Sequence, residues 1–133
     1  MERELPLYFK YWGKAKKDSE QQGADYHLLP YHCLDVAAVC YEWLSADTKL
    51  SSELSDYLSI PRLQFKSLMS LVMAMHDLGK FASAFQALYP NDSSKLIVPY
   101  SRKSYDGKQY RHDRLGTWFW RKLRKQVCEQ LAE

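Results

Sequence analysis

The sequence predicts an all-α fold, a helical bundle of about five helices within one domain spanning residues 1–133. Three observations predict it. Apolar residues recur at helical intervals in several stretches. No stretch reads convincingly as a strand. Helix-boundary residues, Pro61, Gly79 and Pro90, fall where the periodic stretches begin or end. The length of 133 residues suits one domain with a modest core. A composition 46% hydrophobic and 26% charged is that of a globular chain rather than a disordered one. Ten tyrosines, five phenylalanines and four tryptophans supply ring area for a small core, or for a docking face.

Residues 1–30 hold Pro6, Gly13, Gly23 and Pro30 and a polar run, "KAKKDSEQQGAD". They read as an irregular entry segment anchored by Tyr8, Phe9, Tyr11 and Trp12. From Tyr31 to Leu44, His32, Val36, Val39, Cys40 and Trp43 fall at helical spacing and predict the first helix. Asp47 to Tyr57 predicts a weaker one. The next is the best signalled. Pro61 suits a first helical position, and Leu63, Leu68, Leu71, Val72 and Met75 recur up to Asp77, with Gly79 as the C-cap. "FASAFQALY" gives a short helix stopped by Pro90. Residues 90–110 read as loop, and a last helix runs from about Asp113 to Leu131.

Charge is unevenly placed. The net charge of +3 permits a phosphate partner without requiring one. Six Arg or Lys and one acid, Asp113, lie between Arg111 and Lys125, whereas Asp18 to Asp56 is net acidic. The last helix and its approach carry Arg111, Arg114, Arg121, Lys122, Arg124 and Lys125, with Trp118, Phe119 and Trp120 between them. Such interleaving can track a single strand of nucleic acid by charge and stacking. It is equally the pattern of an amphipathic helix with a solvated basic face, with Leu115, Trp118 or Phe119, Leu123, Val127 and Leu131 turned inward. Trp118 and Trp120 point to different faces, so one of them is expected at the surface.

The three cysteines, Cys33, Cys40 and Cys128, include no C-x-x-C pair. Cys33 and Cys40 read as small apolar side chains of the interior. An odd count with no signal peptide reads as reduced thiols in a cytoplasmic protein. No window reaches the length of a transmembrane helix, so no membrane partner is expected.

The stretch "MHDLGKF", Met75 to Phe81, carries the chemistry. Adjacent side chains on a helix diverge by about 100°, so His76 and Asp77 do not both face one core. A carboxylate in the last helical turn is disfavoured by the macrodipole and needs a cation. Lys80 can supply one, leaving a surface histidine beside it. A divalent metal held by His76 and Asp77 can supply it as well. "YHCLDVAAV" adds His32, and "YRHDRLG" adds His112 at the mouth of the last helix; His27 reads as a loop histidine.

Taken in order, "YWGKAKK", "YHLLPYHCLDVAAV", "HDLGKFASAFQ" and "RHDRLG" resemble the start of the HD nuclease domain of the type I CRISPR-associated nuclease-helicase. "HDLGK" is shared across the HD phosphohydrolases; the "YHCLDVAAV" and "HDLGKFxxxFQ" combination is more specific. The resemblance runs from about Tyr11 to Gly116 and covers the first half of that domain. It implies an HD-type bundle, with His32, His76, Asp77 and His112 as ligands to a divalent transition metal of the Mn, Co, Ni or Fe class. Asp77 and Lys80 would be the catalytic residues, with Lys80 meeting the scissile phosphate. Metal-activated water would hydrolyse a phosphodiester of single-stranded DNA. The implied partners are that DNA and the CRISPR surveillance complex.

The sequence departs from the family after His112, which no further histidine follows, so the family's later ligands are absent. There is no helicase, and "DLGKFAS" lacks the upstream glycine and the Ser or Thr of a P-loop, so no ATP site is expected. Two functional classes follow. One is a metal-dependent DNA nuclease, active when its site is completed. The other is a non-catalytic truncated homologue that binds the surveillance complex, or the nuclease's partner surface, and inhibits or modulates interference.

Overall fold

The computed structural model describes residues 5–16, 24–89, 95–99, 105–108 and 111–131. Five α-helices dominate them: α1 (Leu29–Ala46), α2 (Thr48–Leu58), α3 (Arg62–Ala74), α4 (Ser83–Gln86) and α5 (His112–Leu131). Two 3-10 helices accompany them, Leu7–Lys10 and Leu78–Phe81. The all-α class holds, with one addition that the sequence reading did not expect. Trp12–Ala15 (β1) and Tyr26–Leu28 (β2) pair as a two-stranded antiparallel ribbon, irregular between Trp12 and Lys14. His27 therefore lies in a strand, opposite Lys14, and not in a loop. Strands of four and three residues are too short to display an alternating pattern.

By its contacts the chain divides into two compact units, Met1–Pro30 with Asp77–Glu133, and Tyr31–His76. In the first unit Trp12, Phe85 and Leu96 form a buried cluster, with Tyr26, Leu28, Tyr89 and Tyr105 packed around it. The indole of Trp12 stacks on Phe85 at 4.9 Å between ring centroids. Of the four aromatics expected to anchor the entry segment, Trp12 is buried and Phe9 and Tyr11 half-buried, but Tyr8 is exposed.

In the second unit α2 starts at an Asp47 cap, whose carboxylate accepts from the Leu50 N–H at 2.9 Å. It ends with Ser59 in the left-handed region, at φ 55°. Ser51 and Ser55 are buried where α2 meets α3, and small side chains let the two helices approach. Arg62 donates to Ser51 Oγ at 2.9 Å. Lys66 ties α3 to α1, donating to Ser45 Oγ at 3.0 Å with its ammonium over the Tyr41 ring.

Several boundaries differ from expectation. Pro61 caps α3 and does not open it, and α3 stops at Ala74. Asp77 is thus outside α3; it precedes the 3-10 helix Leu78–Phe81. The macrodipole argument for a cation at Asp77 fails on that account. Gly79 is no C-cap but a buried member of the 3-10 helix. The helix expected over 81–89 shrinks to α4. The predicted apolar stripe of α3 is largely solvent-facing: Leu63 is 63% exposed, and Leu68, Leu71 and Val72 are exposed too. Phe65, in line with Leu68 and Val72 but absent from the predicted set, is the buried residue of α3. Val39 and Trp43 of α1 are likewise exposed, while Cys33 and Leu44 are buried. Cys40 is only half-buried, and all three cysteines are free thiols.

Candidate metal centre

In the first unit the chain passes from Asp77 directly into the 3-10 helix Leu78–Phe81, which packs on α5. The packing is backbone against backbone. A Cβ on Gly79 would collide with the carbonyl of His112, and one on Gly116 would lie 3.2 Å from the Gly79 nitrogen. Only glycine allows this approach. It sets His112, the first residue of α5, beside Asp77.

Asp77 is 2% exposed. Its Oδ2 receives the Lys80 ammonium at 2.6 Å, and its Oδ1 lies 3.5 Å from His112 Nε2. Lys80 also donates to the Gly13 carbonyl of β1 at 3.0 Å. A buried carboxylate requires such partners, because leaving it unpaired costs several kcal/mol. The cation that the sequence reading sought for Asp77 is therefore present as Lys80, for reasons of burial. His112 is held by its own backbone, whose N–H donates to the Tyr105 hydroxyl at 3.2 Å, and by an edge contact of its ring with Phe85 at 5.7 Å.

In the second unit His32, in the first turns of α1, faces His76, in the turn after α3. Their ring centroids are 5.6 Å apart. The Nδ1 of His76 is 2.6 Å from the Met73 carbonyl oxygen. A carbonyl can only accept, so Nδ1 carries the proton and the lone pair sits on Nε2. An imidazole oriented in this way is the usual form of a metal-ligating histidine. Asp77 is bonded to His76 in the chain, so one peptide link separates this imidazole pair from the buried carboxylate.

The structure also gives a role to a residue that the sequence reading passed over. Gln86 is 2% exposed, and its side-chain amide bonds to three backbone groups. Oε1 accepts from the Trp12 N–H at 3.1 Å; Nε2 donates to the Trp12 carbonyl at 3.0 Å and to the Lys80 carbonyl at 2.8 Å. Gln86 thereby fixes the strand that carries Gly13 and the turn that carries Lys80. Nothing in its spacing marks a polar residue as buried.

The basic residues expected to meet nucleic acid lie along and just before α5. Arg114, Arg121, Arg124 and Lys125 are exposed. Arg111 makes a two-pronged pair with Asp113, Nε to Oδ1 at 3.1 Å and Nη2 to Oδ2 at 2.7 Å. The Arg111 hydrogen bonds hold the Asp113 carboxyl below the ordinary aspartate range. Of the two tryptophans, Trp118 is the exposed one, and Trp120 is half-buried.

No helix among the described residues is long and apolar enough to cross a membrane. Residues 12–133 match the family model described as Cas3, HD domain. The chain is 34% identical over 116 residues to the CRISPR-associated endonuclease/helicase Cas3 of Escherichia coli (strain K12). That match covers 82% of this chain and 13% of the relative, so the chain spans a small part of the length of the protein it resembles. No solved structure matches it significantly. A family match over nearly the whole chain, reaching from the Trp12 strand through the His-Asp pair to α5, establishes that the chain belongs to the Cas3 HD domain family.

Proposed function

We propose that the chain is the metal-binding part of an HD-type DNA nuclease of type I CRISPR interference, cleaving single-stranded DNA once its site is complete. The observation that carries this reading is the 2.6 Å contact of His76 Nδ1 with the Met73 carbonyl. It makes Nε2 the ligating atom of the neutral imidazole, on a ring 5.6 Å from that of His32 and next in the chain to a buried carboxylate. The proposed ligands His32, His76 and Asp77 are imidazoles and a carboxylate, with no thiolate, the donor types that suit a divalent transition metal. His112, which already approaches Asp77, is the fourth candidate ligand. Bound there, a metal ion would supply a water of lowered pKa and charge stabilisation at a phosphodiester.

The chain's own residues prepare that chemistry. Met73 orients His76. Lys80 pairs with the buried Asp77, and His112 lies beside it. An ammonium has three donors, and Asp77 and Gly13 take two of the Lys80 set. The third is the one a phosphate oxygen would take. The surveillance complex remains the expected protein partner.

The test is metal content and affinity on the full, chelator-stripped chain, by elemental analysis and by calorimetry with Mn, Co, Ni and Fe ions. Stoichiometric binding that disappears in the His76→Ala, Asp77→Ala variant supports the reading, and cleavage of single-stranded DNA is then assayed. No binding above background sinks it and leaves the non-catalytic, partner-binding alternative.

A further inference from the structure

We propose that one face of α5 is a subsite for single-stranded nucleic acid, in which Trp118 stacks on a base while Arg114, Arg121 and Lys125 take flanking phosphates. The choice of a single strand rests on the nuclease reading; the subsite itself uses none of the candidate metal ligands.

At about 100° per residue, Arg114, Trp118, Arg121 and Lys125 fall within a stripe about 60° wide and about 16 Å long. The inward side of α5 is elsewhere. Phe119, Trp120 and Val127 are half-buried and Gly116 is buried, on the opposite side of the helix. The stripe is therefore not a core seam. Trp118 is 54% exposed, with its ring braced by the edge of Phe119 at 5.5 Å and by the Lys122 ammonium 5.7 Å from its centroid. A groove of about 340 Å³ runs beside it, lined by Arg114, Thr117, Trp118 and Arg121.

Charge points to the occupant. No acidic residue falls between Arg114 and Cys128. Of the nearest acids, Asp113 is paired with Arg111, and Glu129, 3.9 Å from Lys125, is the one a strand would have to displace. A solvated basic face has no need of a half-exposed indole at its centre. Phosphates spaced along a strand with bases between them match cations that flank an aromatic ring. A duplex offers phosphates but no open base face, so the stripe selects a single strand.

The experiment uses the full chain in chelator, so that metal binding and cleavage do not enter. Binding to a labelled oligothymidylate is followed by anisotropy and by quenching of tryptophan fluorescence, across a salt series and against a duplex of equal length. The expected result is quenching on binding, affinity about tenfold weaker in Trp118→Ala, and near-native affinity in Trp118→Phe. Arg114→Gln and Arg121→Gln should each flatten the log affinity against log salt by about 0.7. Lys49→Gln on α2 serves as the charge control and should change nothing. Unchanged affinity in Trp118→Ala, unchanged salt slopes, or a duplex bound as tightly as the single strand would overturn the subsite. So would a Trp118→Ala variant that altered only the oligomeric state, which would assign this face to a protein contact. A chain that bound no metal could still pass, so this test and that of the nuclease reading fail independently.

Discussion

The side-chain amide of Gln86 pairs with the backbone of Trp12 as a neighbouring strand would, accepting from its N–H and donating to its carbonyl. In return the Trp12 indole N–H donates to the Gln86 carbonyl at 3.1 Å. A residue of α4 thus completes the hydrogen bonding of β1. Replacing it with leucine keeps the bulk but leaves the Trp12 N–H and carbonyl buried and unpaired. Gln86→Leu should cost about 2–4 kcal/mol, since each such group costs about 1–3 kcal/mol. Urea denaturation checks it; a loss below about 1 kcal/mol would mean that the amide is not the clamp.

Gly79 has no room for a side chain. Gly79→Ala drives a methyl group into the His112 carbonyl, so the 3-10 helix and α5 must separate. The melting temperature should fall by several degrees, and the His112 ring resonances should move. Gly107→Ala is the matched control, because its Cβ would meet only a Tyr105 ring carbon at the ordinary distance of 3.6 Å. Equal melting temperatures for the two variants would contradict the packing described.

Lys80 neutralises a carboxylate that solvent does not reach. Removing the charge in Lys80→Met should destabilise the chain by about 3 kcal/mol, because one partner of a buried pair is left behind. The double variant Lys80→Met, Asp77→Asn should recover much of that loss. A double variant no more stable than Lys80→Met would show that the pair is not coupled.

Asp113 gives a pH signature at the surface. Its carboxyl is held low, first by the Arg111 hydrogen bonds and then by the Arg114 N–H. A depressed carboxyl contributes stability that is present above its unfolded-state value and is lost as pH falls through the folded one. Carbon-detected NMR titration should find Asp113 below the ordinary aspartate range, and Arg111→Gln should return it upward. The stability effect is expected to be small, since the group is exposed.

Much of this was legible in the sequence. Periodicity located all the longer helices, because a turn of helix repeats its apolar residues whatever packs on it. The ordered motifs carried the family, and the His-Asp pair supplied the residues proposed as metal ligands. The misreadings came from tertiary context. Asp77 looked like a helix end, and only its burial accounts for Lys80. Leu63, Leu68, Leu71 and Val72 have core periodicity yet face solvent, because periodicity identifies a face and not what covers it. Gln86 closes the "HDLGKFxxxFQ" motif, but its burial was not legible, since no local pattern distinguishes a buried amide from a surface one. Strands as short as β1 and β2 leave no period to count.

The glycine-to-backbone contact between the 3-10 helix and α5 has a consequence for how freely this protein can be altered. His112 is located by what it leans on and not by the length of chain that leads to it. A side chain at Gly79 would displace the histidine at once, and one at Gly116 would press on the 3-10 helix beside it. The two glycines act as the datum from which this part of the molecule is measured.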